Sequence, residues 1–221
     1  MNYKEHALII YPQAGEAITA IRRPIRERIT PRSYESDLAK EKRSRATTAI
    51  RRYIKANWMP LLVTNTFEVD VSFEEGIKMS NYWIRKLRKH VFIDSFPYVK
   101  VLEGIPDDER LHIHAVLPLA PYYQIASTWN KGFVDIHRFP RTSSEFISKY
   151  LTKTFSDNLM QGKRGFTTGI GFKPIRQIME VDNQDPVSIL KCDLGLNNIV
   201  CIQDDYGFVG GGRFEFEPRI R

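Results

Sequence analysis

Residues 110–119 read Arg-Leu-His-Ile-His-Ala-Val-Leu-Pro-Leu. Side chains of an extended strand alternate between its two faces. His112 and His114 therefore share one face, while Leu111, Ile113, Ala115 and Leu117 share the other and can pack on helices. Two imidazoles side by side on one face make a natural pair of metal ligands. The preceding YVKVLEG (98–104) reads as a second strand, and the turn-rich Ile105-Pro106-Asp107-Asp108-Glu109 joins the two as a hairpin. Glu103, at the end of that strand, is the best-placed acid for a third ligand. Two histidines and one carboxylate leave coordination positions open for water or a phosphate oxygen. His-x-His alone also fits two half-buried histidines.

Outward from this hairpin the elements alternate. Residues 37–57 have Ala46, Ile50, Tyr53 and Ile54 at helical spacing, with arginines on the other side, and Trp58-Met59-Pro60 ends that helix. LLVTNTFEVDV (61–71) is rich in β-branched residues and reads as a strand. A second helix follows, with Ile77, Tyr82, Trp83, Ile84, Leu87 and Val91 as its apolar stripe. GFVDIHRF (132–139) is a further strand. Thr142-Ser143-Ser144-Glu145 fits a capping box opening a helix through FISKYLTKTF. Residues 162–172 are glycine-rich and loop-like, and the tail reads as short strands with a hairpin near Asp204-Asp205-Tyr206-Gly207. This order predicts an α+β fold, a central antiparallel β-sheet flanked by helices.

The last helix carries a second constellation. Tyr150 and Lys153 stand three residues apart and share a face. A phenol is a poor nucleophile at neutral pH until a cation or base helps remove its proton. A neighbouring ammonium and a metal-polarised phosphate would supply that help. The plainer reading is a packed tyrosine between solvated lysines. Trp129, Phe133 and Tyr98 read as core residues that could otherwise stack on bases. Tyr122 and Tyr123 read as packing residues, and His137 and Asp135 align with no ligand pattern.

Composition narrows the class. The chain has 221 residues, 42% of them hydrophobic and 27% charged, as ordinary globular proteins do. No apolar run is long enough to span a membrane, and the N-terminal stretch lacks a basic leader, so it reads as mature protein kept in the cytoplasm. Cys192 and Cys201 are too few for a disulfide framework and lack zinc-site spacing, so they read as reduced and structural. The net charge is +7, and its excess is local: residues 21–56 hold twelve Lys/Arg against four Asp/Glu, whereas 57–221 hold twenty of each. That segment is a footprint for a polyanion or a solvated basic helix. Arg43, Arg45, Arg51, Arg52 and Lys149 are the candidate DNA contacts.

Taken together, the motifs resemble the HUH endonucleases, specifically the single-tyrosine rolling-circle replication initiators of plasmids and small phages. The similarity rests on His-hydrophobic-His followed by a Tyr-x-x-Lys helix. It extends to a strand ending in Thr-x-Thr-Phe (Thr64, Thr66, Phe67), to WNKGFVDIHRF before ISKYLTK, and to GKRGFTTGIGFKP, covering roughly residues 44–174. The resemblance implies that His112, His114 and Glu103 bind Mg²⁺ or Mn²⁺, that Tyr150 attacks a phosphate to give a 5′-phosphotyrosine and a free 3′-hydroxyl, and that Lys153 orients or neutralises. It implies an N-terminal extension over 1–40, a nicking domain over 41–180 and a β-rich C-terminal extension over 181–221 packed on it. Single-stranded origin DNA, a hairpin among its forms, would be the substrate. No P-loop motif is present, so a host helicase and polymerase would do the rest. Asn65 departs from the family, which usually has an apolar residue there, and one tyrosine alone lies on the helix face. A transposase or relaxase of the same superfamily, or a non-catalytic single-strand-binding module, are the alternatives.

Overall fold

The structure, a computed structural model, describes residues 6–21, 34–104, 110–153, 166–181, 188–196, 198–202 and 213–217. In chain order these form β1 (His6–Tyr11), β2 (Glu16–Ile21), α1 (Tyr34–Asn57), β3 (Leu61–Phe67), α2 (Phe73–His90), β4 (Val99–Glu103), β5 (His112–Leu117), α3 (Tyr122–Ser127), β6 (Gly132–Arg138), α4 (Ser144–Thr152), β7 (Thr167–Thr168), β8 (Gln177–Val181), β9 (Val200–Ile202) and β10 (Arg213–Glu215). The fold is α+β with antiparallel sheets, as the element order implies. The hairpin loops expected over 105–109 and near Asp204–Gly207 lie outside the described residues, as does the basic stretch 22–33.

The chain divides into two compact units, residues 35–172 and residues 1–34 with 173–221. In the second, a sheet of order β8-β1-β2-β10-β9 draws strands from both ends of the chain. Its core is Leu8, Ile10, Ala17, Ile189, Leu190, Leu196, Phe214 and Phe216. The two termini, read separately as extensions, thus share one sheet. Cys192 is an exposed free thiol in this unit, so it has no part in that core.

The first unit is built on a five-stranded sheet of order β6-β3-β5-β4-β7. One face carries Leu61, Val63, Phe67, Leu102, Ile113, Ala115 and Leu117 and packs on Trp83, Ile84 and Leu87 of α2 together with Ile125 and Trp129. The other face carries Val99, Val101 and Val116 and packs on Ile50, Tyr53 and Ile54 of α1 and Ile147 and Leu151 of α4. Burying this apolar area on both sides holds the sheet in register, since a one-residue slip would turn every core side chain outward.

Details depart from expectation for local reasons. α2 begins at a complete capping box in which Ser72 and Glu75 satisfy each other's backbone amides. The box expected at Thr142–Glu145 does not form. Pro140 starts a single 3-10 turn over Arg141–Ser143, α4 begins after it, and Glu145 pairs with Lys149 at 2.9 Å instead. Ile77 and Tyr82 are exposed rather than part of the α2 stripe, the Tyr82 ring lying under Arg85 and Lys86. Tyr122 and Tyr123 are exposed on α3, a short helix the sequence reading missed; the apolar side chain it buries is Ile125. α1 stops where Trp58 takes a left-handed backbone (φ 47°).

Candidate active site

Register brings the sequence motifs together. β4 and β5 pair so that Glu103 lies opposite His112 and Val101 opposite His114. On the other side of β5, β3 sets Thr64 opposite His114 and Thr66 opposite His112. Directly paired antiparallel residues project to the same face, so both threonines, both histidines and Glu103 emerge on the side covered by α1 and α4.

The side chains then meet. The two imidazoles lie 6.2 Å apart with planes 27° from parallel. Thr64 Oγ1 is 3.1 Å from His114 Nδ1 and Thr66 Oγ1 is 3.0 Å from His112 Nδ1. Glu103 Oε2 lies 2.7 Å from His114 Nε2, and Glu103 Oε1 lies 3.3 Å from Lys153 Nζ. Burial favours a neutral Glu103. The hydrogen bond and charge of His114, joined by the Lys153 ammonium, outweigh burial and hold the carboxyl below its ordinary value.

α4 completes the cluster. Tyr150 meets the His114 ring edge-on, with centroids 5.1 Å apart. Lys153 Nζ stands 4.8 Å from the centre of the Tyr150 ring. The helix is held by Ile147 and Leu151 in the core and by a hydroxyl contact of 2.7 Å between Thr152 and Thr47 of α1. Five residues singled out from the sequence, Glu103, His112, His114, Tyr150 and Lys153, are therefore neighbours. Glu103 and His114 are buried, His112 and Tyr150 half-buried and Lys153 exposed, which makes this a cleft with an open lip.

The donor set suits a hard divalent cation: two imidazole nitrogens and a carboxylate on a shared face. Among the described residues no three His, Cys, Asp or Glu side chains stand in a finished ligand cage, because His114 Nε2 and Glu103 are joined directly. A cation at this place would sit between those two atoms, where the shared proton now lies.

The remaining candidates are more scattered. Arg45 and Lys149 are exposed, Arg43 and Arg52 half-buried. Arg51 is only 6% exposed, so it belongs to the packing of α1 rather than to an open basic face. Trp129 is core, packed edge-on against Phe67 and Trp83. Phe133 is 70% exposed on the edge strand β6, opposite Thr66 and hence on the cleft's own face. Asp135 and His137 pair with each other at 2.7 Å on that exposed edge and take no part in the cluster.

A family model for replication-associated proteins of the ORF2 type matches residues 60–155. That stretch runs from β3 through α4 and contains all five clustered residues. The match supports a replication initiator protein. No curated protein and no solved structure gives a match. Among the described residues no helix is long and apolar enough to cross a membrane.

Proposed function

We propose that this chain nicks and religates single-stranded origin DNA through Tyr150, so starting and ending rolling-circle replication. The observation that carries the reading is the convergence of the Tyr150 ring on His114, 5.1 Å away, within the cleft that also holds Glu103, His112 and Lys153. A packed tyrosine would point into the core, away from the charged groups. This one lies beside them.

Tyr150 Oη attacks the scissile phosphorus, the bond from phosphorus to the 3′-oxygen breaks, and a 5′-phosphotyrosine and a 3′-hydroxyl result. The phenolic proton passes to solvent at the open lip, and the departing 3′-oxygen takes up a proton. Religation runs this in reverse, a 3′-hydroxyl displacing Tyr150 from phosphorus. His112, His114 and Glu103 would hold Mg²⁺ or Mn²⁺, which when bound polarises the phosphate. Lys153 sits where its ammonium favours the phenolate and opposes charge on the phosphoryl oxygens. Glu103 fixes Lys153 and His114 at once. The exposed and half-buried arginines of α1 add a sequence-independent grip on the backbone.

Incubation with replicon single strands and Mn²⁺ tests this. A covalent adduct should form with the parent chain and be absent from Tyr150→Phe, while that variant still binds DNA. Equal adduct yield from the variant would remove Tyr150 from the reaction, and the absence of any adduct would favour a binding module.

A further inference from the structure

Between the two motifs that the chemistry uses lies a pair of residues that it does not. Thr64 and Thr66 stand two apart on β3, each directly opposite one histidine and each with its hydroxyl on that histidine's Nδ1, at 3.1 and 3.0 Å. A β-branched side chain in a strand has a restricted χ1, so each hydroxyl is aimed by the backbone. The intervening Asn65 points to the opposite core and is fully buried. Two rings gripped in the same way at the same atom come out nearly parallel, as the 27° between their planes records.

We infer that Thr64 and Thr66 are positioning residues that aim Nε2 of His114 and His112 at one divalent cation and fix the tautomer that can bind it. The inference rests on the proposed metal site and deepens it. A histidine that binds through Nε2 must carry its proton on Nδ1, and that proton needs an acceptor. A hydroxyl oxygen accepts it. The same hydroxyl can instead donate to a bare Nδ1 when Nε2–H donates to Glu103, the arrangement that the 2.7 Å contact permits. Threonine therefore serves both forms of His114, whereas a carbonyl would fit one and an apolar side chain neither. The exchange between Glu103 and a cation then needs only a hydroxyl rotation and a proton shift within the ring, with no movement of β3 or β5.

The test uses the intact chain with Mn²⁺ alone, counted as free ion by electron paramagnetic resonance, in Thr64→Val, Thr66→Val and the corresponding serine variants. Loss of a hydrogen-bond partner behind a ligand weakens metal affinity by about 10- to 100-fold, so each valine variant should show a loss of that size. Each serine variant keeps the hydroxyl and should stay within roughly threefold of the parent. Single-strand binding in EDTA should be unchanged in all four. Parent-like Mn²⁺ affinity in the valine variants would overturn the positioning role while leaving the metal site standing. A parent chain that binds no Mn²⁺ would take both down together. Should a valine variant not fold, the serine variant still decides: a tenfold or greater loss with the hydroxyl in place contradicts the inference.

Discussion

Lys153 carries its ammonium 4.8 Å from the centre of the Tyr150 ring, and the same ammonium reaches Glu103 Oε1 at 3.3 Å. The cation is thus placed over the phenol by a buried carboxylate rather than left to solvent. Lys153→Ala should lower the cleavage rate by about 100-fold, the scale of removing one stabilising donor from a reacting oxyanion, with little change in DNA affinity. Single-turnover cleavage measures it. Lys153→Arg should restore part of the rate, and a rate unmoved by either change would place the ammonium outside the reaction.

Glu103 is held below the ordinary carboxylate pKa, since His114 and Lys153 outweigh its burial. A carboxyl whose folded pKa is the lower one adds stability above its unfolded pKa, and that stability is lost as pH falls through the folded value. Thermal unfolding of the metal-free parent and of Glu103→Gln should therefore differ most near about pH 7 and converge as pH drops below the carboxylate range. A gap that widens on acidification would reverse the assigned shift.

Asn65 is fully buried, and neither its Oδ1 nor its Nδ2 has a hydrogen-bond partner among the described residues. A buried amide without partners costs about 1–3 kcal/mol. Asn65→Val, β-branched and suited to a central strand, should raise the unfolding temperature and leave the cleft on the opposite face unaltered. A lower melting temperature would mean that the amide has a partner after all.

The arginines of α1 separate by burial. Replacing Arg43, Arg45 and Arg52 by Gln should weaken single-strand binding and flatten its salt dependence, by roughly 0.7 in log–log slope for each phosphate no longer neutralised. Arg51→Gln should act mainly on stability, because that side chain is buried. Filter binding over a salt series, paired with thermal melts, distinguishes the two effects.

What the sequence disclosed and what it hid follow from the range of the interactions. His112 and His114 share a face by strand alternation alone, and Tyr150 and Lys153 share one by helical spacing, so both halves of the cluster were legible locally. Glu103 was legible through the hairpin that sets it against His112. The threonine hydrogen bonds were not, because they depend on the register of β3 against β5, strands some fifty residues apart. Burial of Arg51 escaped for the same reason: helical periodicity gives a face, and packing decides how wide it is. The terminal sheet was hidden by distance too, since β1 pairs with β8 as His6 opposite Val181. Its first hairpin did leave a signal, two six-residue strands around Pro12–Gly15, with Gly15 at φ 65°. The false capping box at Thr142 shows the converse limit: Pro140 just upstream favoured a 3-10 turn that moved the helix start two residues on.

The most direct measurement is mass spectrometry of the peptide carrying residue 150 after reaction of the chain with replicon single strands and Mn²⁺. The account predicts a nucleotide joined through phosphate to the Tyr150 oxygen, with a free 3′-hydroxyl on the released strand. Cleaved DNA with an unmodified Tyr150, or a nucleotide on any other residue, would contradict it.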